Sequence, residues 1–280
     1  MSNGTLYYRS AFTTDPNGGN PAGVWVGDAL PPAEEMQRIA AEVGYSETAF
    51  IAPQEGANRT IRYFSPEIEV PFCGHATIAT GVVLGELSGD DTYLLQTQAG
   101  EVPVAVRSQA GGRESALTSV EPSYKDVSAA LIEEVLSALN WELADLDNKI
   151  PVALAFAGAW HMVIAVKTLE RLNQLDYDFE TLKATMNREG LTTIQLIWRE
   201  DDDTIHSRNP FPVGGVVEDP ATGAAAAALG GYLREAKLVE APKTVLIRQG
   251  EAMGRPSRLT VEIPESGGIV VRGTAVAISR

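Results

Sequence analysis

One cysteine, Cys73, and three histidines, His75, His161 and His206, are all that 280 residues contain of the thiol and imidazole groups. A single cysteine excludes an internal disulfide, a thiolate-rich zinc site and any acid–base pair built from two thiols. No two histidines stand close in sequence with a carboxylate at ligand spacing, so the spacing predicts no metal site. Basic residues are also scarce: 22 Lys and Arg face 37 Asp and Glu, a formal charge of −15. Nucleic acids and anionic membranes attract basic proteins, so neither is expected as the main partner. No stretch approaches the roughly 20 uninterrupted apolar residues of a spanning helix. The best, Pro151 to Val166, is broken by Gly158 and His161. The opening MSNGTLYYRS has no basic segment followed by an apolar one, so no signal peptide is expected and a cytoplasmic protein is the default. Missing too are the glycine fingerprint of dinucleotide sites, the Walker loop, HExxH and GxSxG. Without a dinucleotide, metal or nucleophile signature, acid–base work by side chains is what remains.

What is present suits a folded globular protein. At 44% hydrophobic and 21% charged the chain can bury a core, in one large or two ordinary domains. Strands are predicted at Leu6 to Phe12, Val24 to Val26, Glu47 to Ile51 and Thr60 to Phe64, with a helix from Pro32 that Gly44 stops. A second helix follows Pro71-Phe72-Cys73-Gly74-His75 and runs to about Leu87. Ser128 reads as the N-cap of a helix whose face carries Leu131, Ile132, Val135, Leu136 and Leu139. Gly190 ends another helix from Phe179, and a further helix runs from about Ala221 to Ala236. The last strands are expected at Val245 to Arg248, Leu259 to Ile263, Ile269 to Val271 and Ala275 to Ile278.

Two passages resemble each other. Cys73-Gly-His-Ala-Thr precedes a helix ending Leu84-Gly85-Glu86-Leu87, and Asp219-Pro-Ala-Thr-Gly precedes one ending Gly230-Gly231-Tyr232-Leu233. Aligning Leu87 with Leu233 sets Cys73 opposite Asp219. The repeat predicts two similar domains, each a curved sheet around a long central helix, with a site between them. Chance likeness of Gly/Ala-rich segments is the competing explanation.

Small residues at both helix starts, Gly74, Thr77, Thr222 and Gly223, would let a ligand approach unpaired backbone N–H groups. Two helix N-termini would hold a carboxylate without Arg or Lys; tight helix packing explains small residues equally well. His75 at a helix start should favour its neutral form, able to donate and accept. Asp219 fits either a functional carboxylate or a plain N-cap. Glu47 stands between Tyr45 and Phe50; desolvation there would raise its pKa, whereas a strand-edge Glu is ordinarily solvated. His161 lies in an apolar strand pattern and reads as structural, and His206 has no argued role.

These stretches together resemble the phenazine biosynthesis PhzF-like family of isomerases, related in fold to diaminopimelate epimerase. The matching segments are Gly19-Asn20-Pro21-Ala22-Gly23-Val24, Ser46-Glu47-Thr48-Ala49-Phe50, Phe64-Ser65-Pro66 leading to Pro71 through Thr77, Gly215 through Gly223, and Gln249 through Ser257. The resemblance implies an α+β fold of two pseudo-symmetric domains, each a curved, mostly antiparallel sheet wrapped around a central helix. The first would span 1–119, completed by 267–280, and the second 120–266. It also implies a homodimer, no cofactor, and a small anionic carboxylate as substrate. The family's catalytic Glu, His and Asp fall on Glu47, His75 and Asp219. Gly74, Ala76, Thr222, Gly223 and Ala224 would bind the substrate at the helix starts.

The implied activity is a cofactor-independent isomerase in which Glu47 moves a carbon-bound proton in the interdomain cleft. A dehydratase, a one-base epimerase or a non-catalytic carboxylate-binding protein are the alternatives. Related racemases use two cysteines, one per half; here Cys73 remains alone and reads as a small packing residue. The family's second turn usually continues Thr-Gly-Ser-Ala, but this chain has Thr222-Gly223-Ala224-Ala225, so one substrate-facing hydroxyl is missing.

Overall fold

The computed structural model describes residues 3–279. Its contacts divide it into two units, one running to Thr118 and resuming at Arg272, the other formed by Ser119–Val271. The fold is mixed α/β, with many strands and few helices. Unit one contains β1 (Gly4–Ala11), β2 (Asn20–Gly27), α1 (Ala33–Val43), β3 (Glu47–Pro53), β4 (Asn58–Phe64), β5 (Glu69–Val70), α2 (Gly74–Ser88), β6 (Thr92–Thr97), β7 (Gly100–Gln109) and β8 (Gly112–Thr118). Unit two contains β9 (Ser123–Asp126), α3 (Ala129–Ala138), β10 (Ala153–Phe156), β11 (Trp160–Ala165), α4 (Leu169–Asn173), α5 (Phe179–Glu189), β12 (Thr193–Arg199), β13 (Thr204–Phe211), β14 (Val216–Asp219), α6 (Gly223–Glu235), β15 (Lys243–Gln249) and β16 (Ser257–Ile263). The last strand, β17 (Val270–Ala277), leads back into unit one. Among the described residues no helix is long and apolar enough to cross a membrane.

In unit one β1 pairs antiparallel with β2, β2 parallel with β3, β3 antiparallel with β4 and β4 parallel with β6. Antiparallel pairs then join β6 to β7 and β7 to β8. β17 pairs with both β8 and β1, closing a circuit of eight strands. α2 explains what these strands enclose. Its sequence is apolar or small on every side, and such a helix is stable only when buried all round. Every residue from Gly74 to Gly85 is buried, and the helix touches β1, β2, β3, β7 and β8. Glycines set how closely the sheet approaches. A Cβ on Gly81 would lie 2.1 Å from Ser115 Oγ, and one on Gly85 2.5 Å from Val106 Cγ1.

Unit two is laid out similarly: β9–β10 and β10–β11 antiparallel, β11–β12 parallel, β12–β13 antiparallel, β13–β15 parallel and β15–β16 antiparallel. α6, rich in alanine and glycine, is buried over most of its length and touches β9, β10, β11 and β16. A second core places Leu131, Val135, Leu139, Leu182 and Met186 of the helical side against Met162, Ile164, Ile194 and Leu196 of the strands. Ser128 caps α3 by accepting the Leu131 N–H, and Gly44 and Gly190 end α1 and α5 in the left-handed conformation, as their sequence positions predict.

The repeat holds at the level of register. Adding 146 to Phe50 and Arg62, which face each other across β3 and β4, gives Leu196 and Arg208, which face each other across β12 and β13. The same shift carries Glu47 onto Thr193 and Cys73 onto Asp219. Across the parallel pairs, Ala22 faces Glu47 in the first copy and His161 faces Thr193 in the second. Even an ion pair recurs. Arg62 grips Glu69 with two bonds of 2.6 Å, and Arg208 grips Glu218 at 3.0 and 2.5 Å.

The structure corrects several sequence expectations. The second central helix starts at Gly223 rather than Ala221, because Thr222 stays non-helical (φ −111°, ψ 86°) with its N–H bound by Gln249. The two closing strands merge into β17. Gly273 permits this, since Phe12 Cδ1 lies 2.3 Å from where its Cβ would be. The Pro/Gly-rich passage Asn209 to Asp219 holds the end of β13, a 3-10 turn and β14. Strands β5, β8 and β9 and helix α4 carry no clear periodic signal and were not anticipated.

Candidate functional site

Glu47 is delivered by a helix stop. Gly44 closes α1 with φ 73°, and three residues later Glu47 opens β3. That turn places a carboxylate at the strand end facing the start of α2. There Cys73 is the N-cap, in extended conformation and with no side-chain capping bond, so its thiol is not spent on the helix. Thr77 donates its hydroxyl to the Cys73 carbonyl at 2.6 Å and contacts Tyr63 Oη at 2.7 Å, fixing the turn from the sheet side.

The three groups converge. His75 Nε2 lies 3.4 Å from Glu47 Oε2 and 3.4 Å from Ser46 Oγ. Cys73 Sγ lies 3.4 Å from His75 Nδ1 and 3.9 Å from Nε2. One donor atom each from Glu47, Cys73 and His75 lie within 4.8 Å of one another. The Glu47 side chain is 15% exposed and that of His75 6%. Burial pushes the Glu47 carboxyl above the ordinary carboxylate range, and hydrogen bonds with Ser46 and Cys73 pull it part of the way back. This replaces the solvated strand-edge alternative with a desolvated carboxylate suited to taking and returning a proton. Cys73 is buried, as a small packing residue should be, and its sulfur also touches both other groups. Spacing arguments about histidine pairs could not find this cluster, because Glu47 arrives from another element.

The corresponding place in unit two is built from different residues. Asp219 ends β14 and is 8% exposed. Thr222 donates its hydroxyl to Asp219 Oδ2 at 2.5 Å. Gln249, 1% exposed, organises the turn. Its amide nitrogen donates to the Asp219 carbonyl at 2.8 Å and to Thr222 Oγ1 at 3.0 Å, and its oxygen accepts from the Thr222 N–H at 3.2 Å. Thr222 therefore has both its N–H and its hydroxyl committed within the protein. Gly223 and Ala224 begin α6, and Gly74 and Ala76, both buried, begin α2. The first N–H groups of a helix have no intrahelical partner and carry partial positive charge. Gln249 lies in one of the segments matching the family, and its only sequence signal is its place at the end of a strand beside a Gly-rich turn.

The other histidines separate cleanly. His161 is fully buried, its Nδ1 is 2.8 Å from Thr193 Oγ1, and burial lowers its pKa to about 3. Thr193 in turn donates to Asn209 Oδ1 at 3.0 Å, a structural network within unit two. His206 packs on Trp198 and has Glu200 at 2.8 Å on Nε2 and Glu251 at 3.4 Å on Nδ1.

The family described as phenazine biosynthesis-like protein matches residues 9–280. An uncharacterised isomerase of Bacillus subtilis is 32% identical, the match covering 99% of this chain and 97% of that one. The trans-2,3-dihydro-3-hydroxyanthranilate isomerase of Pseudomonas fluorescens is also 32% identical, covering 95% of this chain and 97% of its own. Among solved structures, a Bacillus anthracis phenazine biosynthesis protein of the PhzF family superposes with TM-score 0.86 at 29% identity, covering 98% of this chain and 96% of that one. A hydroxyproline epimerase from Agrobacterium vitis gives TM-score 0.69 at 13% identity, covering 100% of this chain and 92% of the other, a likeness of fold alone.

Proposed function

The chain is an isomerase of the phenazine biosynthesis-like family, and from that premise we propose that it moves a carbon-bound proton in a small carboxylate-bearing substrate without a cofactor. Glu47 is the acid–base group. Its carboxylate takes a proton from one carbon, the electron pair of that C–H bond shifts the double bond, and the same carboxyl returns a proton to another carbon. His75, 3.4 Å from Glu47, orients the substrate and shares the proton load. Asp219 and the N–H groups at the starts of α2 and α6 (Gly74, Ala76, Gly223 and Ala224) bind the substrate's polar groups. The recurrence of register at a shift of 146 residues supports reading the two units as pseudo-symmetric, epimerase-like copies, and the family likeness implies a homodimer.

The observation that carries the proposal is the buried Glu47 carboxyl facing His75 and Cys73 at a helix start. The test is deuterium uptake from D2O into a library of small unsaturated carboxylates, headed by trans-2,3-dihydro-3-hydroxyanthranilate. Glu47→Gln keeps the shape and removes the base. It should lower exchange by about 10²–10⁴-fold while the substrate still binds. Unchanged exchange in this variant refutes the assignment, and product analysis separates a shifted double bond from loss of water or inversion.

A further inference from the structure

We propose that the buried Arg208–Glu218 ion pair is a register lock for β14, turning the Asp219 carboxylate towards Thr222 and away from Arg208. The positional half stands on geometry; its catalytic consequence rests on the function proposed above. β14 is four residues long, shorter than the typical strand of about five or six. Asn209 of β13 faces Asp219 and Pro210 faces Glu218, but Phe211 faces Val216, so Val217 is an extra, bulged residue. Pro210 brings no N–H to this pairing. Continuing the Phe211–Val216 register without the bulge would set Glu218 opposite Asn209 and Asp219 opposite Arg208. Side chains alternate along a strand, so that one-residue slip would carry the Asp219 carboxylate to the other face, beside the guanidinium.

Two contacts select the observed register. Arg208 donates to Glu218 twice, from Nε to Oε1 at 3.0 Å and from Nη2 to Oε2 at 2.5 Å, while its Nη1 donates to the Asn173 carbonyl at 2.9 Å. A two-point grip fixes direction as well as distance. The bulged residue is held too: Tyr177 donates its hydroxyl to the Val217 carbonyl at 2.6 Å. Burial, with the Glu218 charge nearby, pushes that phenol up to about 12, so it remains a donor. With Glu218 drawn to one face, Asp219 falls on the other, where Thr222 donates to its Oδ2. The side chains of Arg208 and Glu218 are only 13% and 4% exposed. A pair so buried adds little stability over apolar residues of like volume; here it discriminates between two carboxylates one residue apart, and the longer side chain of Glu218 is the basis of the discrimination.

Two variants at one position test this. Glu218→Asp keeps the charge but gives both carboxylates the same reach. Glu218→Gln removes the competing carboxylate, so that Asp219 becomes the nearest in sequence that Arg208 can take. In a crystal structure of Glu218→Gln, Asp219 should have left Thr222 for Arg208, with Asn209 facing residue 218. In Glu218→Asp the β14 amide resonances should be doubled, one set for each register. Measured well below melting, deuterium-exchange turnover should fall at least about tenfold in Glu218→Gln and about threefold in Glu218→Asp. A merely structural pair would lower Tm and leave the turnover of the folded variants unchanged. Asp219 still on Thr222 in a single register in both variants, or in Glu218→Asp should Glu218→Gln not fold, overturns the proposal without touching the isomerase reading. A slipped β14 with undiminished exchange keeps the lock and refutes its catalytic consequence.

Discussion

Gln249 is where a single side chain holds the most of the second helix start. Replacing it with Leu keeps the volume and removes three hydrogen bonds, to the Asp219 carbonyl, Thr222 Oγ1 and the Thr222 N–H. A buried polar group left without its partner costs about 1–3 kcal/mol. The Thr222 groups are only partly buried and regain some water, while Leu recovers about 1 kcal/mol of apolar burial, leaving a net loss of about 2–4 kcal/mol. For a unit of this size about 1 kcal/mol moves Tm by roughly 2–4 °C, so calorimetry should show a fall of about 4–16 °C. Gln249→Glu sharpens the test. Ionised, it keeps an acceptor for the Thr222 N–H but loses both donor bonds and sets a second carboxylate beside Asp219. Protonated, it regains one donor. Its deficit against the natural protein should therefore shrink as the pH is lowered but not vanish, because the protonated side chain restores only one of the two donor bonds. A loss below about 0.5 kcal/mol for Gln249→Leu would refute the view that this amide organises the turn.

Glu47→Gln should cost activity but gain stability. Because burial raises the carboxyl's folded-state pKa, the ionised form is the less stable one. The natural protein should match the variant below the ordinary carboxylate pKa and fall progressively behind as the pH rises through the raised value, as read by denaturant melts across pH. The acidic limb of the exchange rate should likewise lie above the ordinary carboxylate range. His161 works in the opposite sense: neutral in the fold down to about pH 3 but protonated near 6.5 when unfolded, it should cost stability as pH falls across that interval, by up to about 1.4 kcal/mol per pH unit. A His161→Gln variant should show a flatter acid profile; an identical slope would exclude this histidine as the cause. Gly81→Val should destabilise unit one by at least about 1–3 kcal/mol, since even its Cβ would sit 2.1 Å from Ser115 Oγ and 2.9 Å from Val104 Cγ1. Full retention of Tm would show that the sheet can back away from α2.

Much of this was legible in the residues, for physical reasons. The apolar, small-residue run from Gly74 has no polar side, and that alone specifies a helix buried all round. Gly44, Ser128 and Gly190 announced helix ends because only certain residues satisfy or permit the backbone there. Glu47 and His75 were legible as a pair only through the family resemblance; the spacing of 28 residues says nothing about a strand end meeting a helix start. Cys73 is buried, as a packing residue should be, but its contacts with His75 and Glu47 were illegible because they depend on side-chain direction that spacing does not encode. Gln249 was illegible as a participant because its partners, Asp219 and Thr222, are 30 and 27 residues away. Short strands such as β5 and β9 are fixed by neighbours rather than by their own alternation.

The return of β17 to unit one has a consequence for how the chain comes into being. The first eight strands of the sequence leave the ribosome with β1 and β8 still waiting for the strand between them, and 151 residues separate Thr118 from Val270. Unit two is continuous and can finish first during synthesis. The earlier strands of unit one, although made before unit two, stay an open sheet with two unsatisfied edges until β17 has been made. Such edges are templates for pairing with other chains. Loss of β17 should thus surface as aggregation through unit one, although the break lies beyond unit two in the chain.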